Sequence, residues 1–220
     1  MKTNRKWVVV RIDGKIAAIS TDYRQLAALT RRLAEMPSGR RKENSRKQNI
    51  YGKGTEALPR LFNEITAVTL SLEEVWELRK SVKWDDLMLF GTDFQKKVWE
   101  KLWKLTHPET TDSDSVNIHS QETRLISYSD FADLCQNKAG VRAVAHAISL
   151  NPVAIVIPCH LVVPKESVDR IHDIHRKAEA TIFKGEDLCK GNILKDNAID
   201  FGEYSLGRQM KRKLIIMELE

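Results

Sequence analysis

Strand-like apolar patterns open the chain, and helical periodicity follows them. Residues 6–20 predict a β-hairpin, because valines and isoleucines flank an Asp13-Gly14 pair that suits a tight turn with positive φ. Residues 67–70 predict another strand. The first part of the chain is therefore expected to be a small α/β domain. Its helix is predicted over residues 22–36, with an apolar stripe formed by Leu26, Leu29 and Leu33.

Two capping boxes mark helix starts further along the chain. Ser71 stands three residues before Glu74, and Thr92 stands three residues before Gln95. In each pair the hydroxyl of the first residue can accept from the backbone N–H of the second, whose side chain can accept from the backbone N–H of the first. Both boxes predict a helix that begins directly after the capping residue. The second helix is expected to bury one face, formed by Phe94, Val98, Trp99 and Leu102.

Two short helices joined by a glycine-containing turn are predicted between Ser127 and Leu150. This pattern is typical of a helix-turn-helix, although many helix pairs in protein cores share it. Asn151-Pro152 ends the second helix, because proline cannot continue the helical hydrogen bonds and the asparagine amide can tie the helix end to the next segment. The buried face of the first helix is expected to contain Phe131, Leu134 and Cys135.

The second of these helices is rich in small residues and carries Arg142 among them. Small side chains allow a helix backbone to come close to a neighbour, and that neighbour can be another helix or a DNA backbone. Both readings stay open on the pattern alone. The small residues are Ala139, Gly140, Ala143, Ala145 and Ala147.

An apolar run at 153–157 predicts a buried extended segment that leads through Pro158 to Cys159. Another apolar run follows the Cys159-His160 pair. Taken alone, such a cysteine is a packing residue, a metal ligand or a nucleophile, and simple burial is the usual outcome.

Charge and cysteine usage narrow the class of protein. The 220 residues carry a net charge of +6, and the polar stretch at 37–54 has six basic residues against one acid, which favours a polyanionic partner. This stretch and residues 107–124 predict exposed loops. No apolar run is long enough to predict a membrane span. Three widely spaced cysteines without a CxxC pair favour a reducing compartment and disfavour a disulfide framework or a structural zinc site.

Ordered motifs in the C-terminal part of the chain identify a family. They are GTDFQKKVW at 91–99, SYSDFA at 127–132, Arg142-Ala-Val, Asn151-Pro, Pro158-Cys-His-Leu-Val and the closing GEYSLG helix at 202–220. The successive spacings, from Tyr128 to Arg142, from Arg142 to Asn151 and from Asn151 to Cys159, are 14, 9 and 8 residues. In sequence and order these motifs resemble the 6-O-alkylguanine-DNA alkyltransferases, also called methylated-DNA–protein-cysteine methyltransferases.

The resemblance implies an irreversible transfer of an alkyl group from the guanine 6-oxygen to Cys159, without a metal or a cofactor. His160 is implied as the base that generates the thiolate through a bridging water. Glu218, 14 residues after Tyr204, is implied as the carboxylate that orients His160, with Glu220 as the neighbour if the register differs.

Further residues of the site follow from the same resemblance. Tyr128 is expected to donate a hydrogen bond to the flipped base, and Asn151 completes the catalytic set. The backbone carbonyls of Cys159 and Val162 are expected to accept from the guanine amine, and the backbone N–H of Ser205 to face the 6-oxygen. Tyr204 is placed with them in the substrate-binding set.

The implied partner is double-stranded DNA, bound in its minor groove with little sequence specificity by a monomer. Arg142 is expected to fill the gap left by the flipped base. The implied location is cytoplasmic and nucleoid-associated in a bacterium or nuclear in a eukaryote, and no membrane partner is expected. The close-approach surface is expected to be Ala139, Gly140, Ala143 and Ala147.

The fold class implied is an α/β N-terminal domain with a small antiparallel sheet (1–86), followed by a mostly helical, winged-helix-like DNA-binding and catalytic domain (87–220). An insertion at about 164–201 departs from the family pattern and holds an H-x-x-H pair, His172 and His175, with Cys189. Scattered exposed residues are a simpler explanation of this set than a metal site.

Two single residues also depart from the pattern. Leu161 stands where an arginine is usual and predicts a repacked contact, and His146 stands where a small residue is usual. Two other functions stay open: a non-catalytic sensor of alkylated DNA, and a winged-helix transcriptional regulator.

Overall fold

A computed structural model describes residues 6–22, 62–107, 125–179 and 199–219, together with positions 26, 27, 29, 31 and 33. The predicted arm at 37–54, the predicted loop from 108 to 124 and residues 180–198 of the insertion lie outside the described residues. The chain divides into two compact units. The first extends to residue 96, beyond the predicted limit at 86, and includes a segment predicted for the second. The units are Met1–Lys96 with Asn151–Ile157, and Lys97–Leu150 with Pro158–Glu220.

An antiparallel sheet of three strands forms the first unit, in the order β2-β1-β3. The predicted hairpin is confirmed, with φ values of 49° at Asp13 and 80° at Gly14. The Asp13 carboxylate also accepts hydrogen bonds from the backbone N–H groups of Asn63 and Glu64, at 2.8 and 2.9 Å. The hairpin turn is thereby fixed to the start of the third strand. The strands are β1 (Trp7–Ile12), β2 (Lys15–Ser20) and β3 (Ile65–Leu70).

The core of this unit joins the hairpin to the predicted leucine stripe. Leu29 and Leu33 are buried together with Phe90 and with side chains of β1 and β2. Helix α1 (Leu72–Ser81) begins at the predicted capping box, and both of its bonds are present: Ser71 Oγ accepts from the Glu74 N–H at 3.1 Å, and Glu74 Oε2 accepts from the Ser71 N–H at 2.6 Å. A short 3-10 helix, Trp84–Asp86, follows α1.

The apolar run at 153–157 is buried, as predicted, but it is not extended. Ile155 has a φ of 72°, a conformation that a β-branched residue rarely adopts. The N–H of Ile157 donates to the carbonyl of Val153 at 3.0 Å and closes a tight turn. The flanking backbone pairs with Ile19 of β2. An apolar run alone reports burial and not backbone shape, which explains the error.

Helices make up most of the second unit, and the predicted helix-turn-helix is present. The predicted bonds between Thr92 and Gln95 open α2, and Ser127 caps α3. Two short parallel strands, β4 (Ile126–Ser127) and β5 (Val162–Val163), pair with each other. Short 3-10 helices lie at Lys138–Gly140 and Cys159–Leu161. The helices are α2 (Asp93–Lys104), α3 (Tyr128–Leu134), α4 (Val141–Ser149), α5 (Lys165–Glu179) and α6 (Arg208–Leu219).

The predicted buried face of α2 is wrong at one end. Val98, Trp99 and Leu102 are buried, whereas Phe94 is 38% exposed. Trp103 is buried as well, so the buried face of α2 consists of Val98, Trp99, Leu102 and Trp103. At 100° of rotation per residue, Phe94 lies about 110° from the centre of this face.

The predicted face of α3 is also narrower than expected. Phe131 is fully buried, but Leu134 and Cys135 are partly exposed because the helix ends there.

Candidate active site

Cys159 opens a short 3-10 helix, directly before β5. Its side chain is 6% exposed, and His160 and Leu161 are fully buried. Pro158, with φ at −81°, fixes the backbone in front of the cysteine. Leu161 therefore lies in the interior, and the repacked contact expected at this departure stays a prediction.

The motif places a histidine and a carboxylate in direct contact. His160 Nε2 lies 2.9 Å from Glu218 Oε1, with the two side chains 0% and 7% exposed. Helix α6 carries Glu218, 58 residues after His160, to this position. A carboxylate fixes the orientation of an imidazole and favours its protonated form. Glu220 lies outside the described residues.

Two phenols belong to the same site. Tyr204 Oη lies 3.7 Å from Cys159 Sγ. Burial, followed by the charge of Cys159, raises the pKa of Tyr204 well above its usual value. Burial is also the main cause that raises the pKa of Tyr128, with smaller contributions from Cys159 and Glu203. Both phenols therefore keep their protons at neutral pH and can act as donors.

Lys211 was not predicted from the sequence. Its side chain is fully buried, and its Nζ donates to the carbonyl of Val162 at 2.7 Å. Longer contacts of 3.5 Å reach Tyr128 Oη and the carbonyl of Glu203, and the amine lies 5.6 Å from the centre of the Tyr128 ring. Burial lowers the pKa of Lys211 to about 8, against the opposing charges of Cys159, Asp200 and Glu203.

A sequence signal for Lys211 exists in hindsight. It stands seven residues before Glu218, so two helical turns place both on one face of α6. It also stands among apolar neighbours, Met210, Leu214 and Ile215, which are all buried. A lysine on an apolar helix face, in register with a predicted catalytic carboxylate, points to a buried amine.

Asn151 is buried and belongs to the first unit. Its Nδ2 donates to the carbonyl of Ile157 at 2.9 Å, and its Oδ1 accepts from the N–H of Val153 at 3.0 Å. The side chain thus fixes both ends of the turn that leads into Pro158. The predicted tie between the helix end and the next segment is present.

The helix-turn-helix places the candidate DNA-binding residues as follows. Arg142, His146, Ala139 and Ala143 are exposed. Ala147 is 1% exposed, and its carbonyl accepts from Trp99 Nε1 at 2.8 Å. The prediction of Ala147 as a close-approach residue is therefore wrong, because it packs inward.

Gly140 has a packing reason of its own. A Cβ atom at this position would stand within 2.6 Å of the Asn137 side-chain amide. A larger residue at this position would require the Asn137 side chain to move, independently of any approach to DNA.

Cys135 is the second cysteine that the structure describes. Burial raises the pKa of its thiol to about 11, partly opposed by Lys101. A thiol with such a pKa is a poor nucleophile at neutral pH.

Among the described residues, no three or more His, Cys, Asp or Glu side chains are grouped to hold a metal ion. His172 is exposed, and Cys189 lies outside the described residues. None of the described helices combines the length and apolar character needed to cross a membrane.

The second unit thus combines a helix-turn-helix, a motif typical of DNA-binding domains, with a buried Cys-His pair whose histidine contacts a carboxylate, so Cys159 is a candidate thiol nucleophile. Residues 118–180 match the family model of the 6-O-methylguanine DNA methyltransferase DNA-binding domain. The resemblance inferred from the motifs is thereby confirmed.

Curated relatives agree with this assignment. A "Probable methylated-DNA--protein-cysteine methyltransferase" of Acanthamoeba polyphaga mimivirus is 40% identical over 82 residues, which is 37% of this chain and 45% of the relative. The inducible methylated-DNA–protein-cysteine methyltransferase of Bacillus subtilis is 39% identical over 75 residues, which is 34% of each chain. The matched stretch thus spans less than half of these relatives.

Solved structures with the same family name are also similar. One is an OGT of Mycobacterium tuberculosis in complex with DNA, at 26% identity and a TM-score of 0.34 over 60% of this chain and 52% of that one. Another is the O6-methylguanine-DNA methyltransferase of Pyrococcus kodakaraensis, at 19% identity and a TM-score of 0.47 over 99% and 94%.

Proposed function

We propose that the protein repairs DNA by transferring an alkyl group from the 6-oxygen of guanine to Cys159, in a single irreversible turnover. The observation that carries the proposal is the buried pair of His160 and Glu218, with His160 next to Cys159 in the sequence. The names of the similar proteins support the same activity. A sensor without catalysis would need neither the thiol nor this pair.

The first step is the formation of the thiolate. An ionised carboxylate only accepts hydrogen bonds, so the Nε2 of His160 carries the hydrogen that faces Glu218, and Nδ1 is the basic nitrogen. We expect Nδ1 to take the thiol proton through a bridging water. Glu218 stabilises the resulting imidazolium.

The second step is the displacement. The Cys159 thiolate attacks the alkyl carbon, a sulfur–carbon bond forms, and the carbon–oxygen bond breaks with its electron pair left on the guanine 6-oxygen. Tyr128, which keeps its proton, and the mostly protonated Lys211 supply a donor and a positive charge for the guanine as it becomes anionic. The backbone N–H of Ser205 is proposed to face the 6-oxygen.

Recognition of the base uses the wall around β5. A carbonyl has two lone pairs, and Lys211 occupies one of those on Val162. The second stays available for the exocyclic amine of guanine. Tyr204, near the sulfur, is proposed to line the pocket.

A base inside a duplex is out of reach of the buried Cys159, so it must be flipped out. We propose that the second unit acts as a winged-helix-like domain in the minor groove, as a monomer, with Arg142 in the gap left by the base. Exposed Ala139 and Ala143 allow the close approach. The place of action is then the nucleoid of a bacterium or the nucleus of a eukaryote.

Intact mass after incubation with a duplex that contains 6-O-methylguanine tests the proposal. One added methyl group is expected on the wild type and none on Cys159→Ser. Tight binding of the lesion without a mass change would support the sensor. Sequence-specific binding without preference for the lesion would support the regulator, and either result would refute the transfer.

Arg142→Ala separates base flipping from chemistry. Methylation from duplex DNA is expected to slow much more than methylation from free 6-O-methylguanine, because only the duplex requires a flipped base. Arg176→Ala, an exposed arginine on α5, is the matched control. Equal slowing on both substrates would contradict the role of Arg142.

A further inference from the structure

The helix that opens the insertion is tied to the residue that ends it. Ser167, in the first turn of α5, is 4% exposed, and its hydroxyl donates to the backbone carbonyl of Asp200 at 2.5 Å. Val168 and Ile171 of the same helix are buried, so α5 is packed into the second unit. A partly buried hydrogen bond from Ser167 to Asp200 therefore joins the two ends of the insertion.

The side chain of Asp200 in turn forms a hydrogen bond with Gly202 of the same loop. Its Oδ1 accepts from the N–H of Gly202 at 2.9 Å. Gly202 has a φ of 80°, and a Cβ atom there would lie 3.2 Å from Cδ of Pro164. Ser167 thus bonds to this loop, and Pro164, directly before α5, leaves no free space for a side chain at Gly202.

The same loop leads directly into the candidate active site. Glu203 accepts from Lys211 through its backbone carbonyl at 3.5 Å, and its side chain pairs with Arg208. Tyr204 follows, with its hydroxyl 3.7 Å from Cys159 Sγ. A shift of the backbone at Asp200 is therefore transmitted over four residues to the phenol that meets the nucleophile.

We propose that Ser167 is a positioning residue: through Asp200 it holds the loop of residues 200–205 in the conformation that receives the guanine. This inference rests on the proposed alkyl transfer and extends it, because it makes the first turn of the insertion part of base recognition. Formation of the thiolate by His160 and Glu218 does not depend on this contact.

Two reactions of Cys159 distinguish a positioning role of Ser167 from a general loss of the folded structure. Iodoacetamide requires a thiolate but no bound guanine, whereas transfer from free 6-O-methylguanine requires both. Ser167→Ala is expected to slow the transfer roughly tenfold, which corresponds to the loss of one intramolecular hydrogen bond. Its iodoacetamide rate, followed at Cys159 by peptide mass spectrometry, should stay close to that of the wild type. Ser167→Thr, which keeps the hydroxyl, should restore the transfer.

A second variant tests the same contact in case Ser167→Ala does not fold. Asp200→Ala removes the acceptor of the Gly202 N–H from an exposed position and should reproduce the same split between the two reactions. Ser81→Ala is the control, because its hydroxyl makes the same kind of bond, to the carbonyl of Leu78, in the first unit. That variant should behave as the wild type.

The outcomes separate this inference from the function on which it rests. Wild-type rates for both Ser167→Ala and Asp200→Ala would overturn the inference alone, and so would equal slowing of both reactions. A wild-type protein that reacts with iodoacetamide but never accepts methyl from guanine would overturn the proposed function, and the inference with it.

Discussion

Replacing Lys211 by methionine should change how the stability of the protein depends on pH. The amine is fully buried, and burial lowers its pKa to about 8 from an ordinary value of 10.5. Methionine has a similar length and no charge. The variant therefore removes the titration while leaving an unbranched apolar chain in the same space.

The sign follows from proton binding. Between pH 8 and 10.5 the unfolded chain binds more protons at this position than the folded chain, so the free energy of unfolding rises with pH in that window. The buried charge costs about 3 kcal/mol at neutral pH. About 2 kcal/mol of that cost disappears between about pH 7 and pH 9.5. The raised pKa values of Tyr128 and Tyr204 act only above this window and are common to all variants.

Urea unfolding across this pH range measures the effect. The wild type and Lys213→Met, a control on an exposed lysine of α6, should gain the same stability as pH rises. The curve of Lys211→Met should lack about 2 kcal/mol of that gain. Curves for wild type and Lys211→Met that stay parallel from about pH 7 to 9.5 would refute a buried amine with a lowered pKa.

Two other substitutions test the site and its loop. Glu218→Gln keeps the size of the side chain but removes the charge behind His160, so single-turnover methyl transfer should slow by about 100-fold; an unchanged rate would exclude the carboxylate from activation. Gly202→Ala should lower the melting temperature more than Gly207→Ala, because both adopt positive φ but only the first meets a neighbour, Pro164. Equal losses would show that the contact does not matter.

Local signals were sufficient for the parts of the fold that depend on neighbouring residues. The turn at Asp13-Gly14 and the caps at Ser71 and Thr92 formed as predicted, since each needs only groups within about three residues. The contact between His160 and Glu218 was reached differently. It came from the resemblance of ordered motifs, because no periodicity connects residues 58 apart.

Features decided by tertiary packing were not predicted. The left-handed turn at Ile155 depends on pairing with β2, and the exposure of Phe94 depends on which side of α2 the neighbouring Trp103 buries. The burial of Lys211 is the largest omission, since a lysine is assigned to the surface unless a partner is known. The Ser167 bond to Asp200 closes a loop of 33 residues, which spacing alone does not reveal.

The separation of His160 from Glu218 has a consequence for the order of events during synthesis. The ribosome adds Cys159 and His160 to the chain before it adds the residues of α6. The first parts of a chain begin to fold while the rest is still being made. Until α6 docks, the thiol has no carboxylate-backed base and reacts like an ordinary cysteine. Under the proposed function, activation of Cys159 as a nucleophile therefore waits until α6 has docked and brought Glu218 to His160.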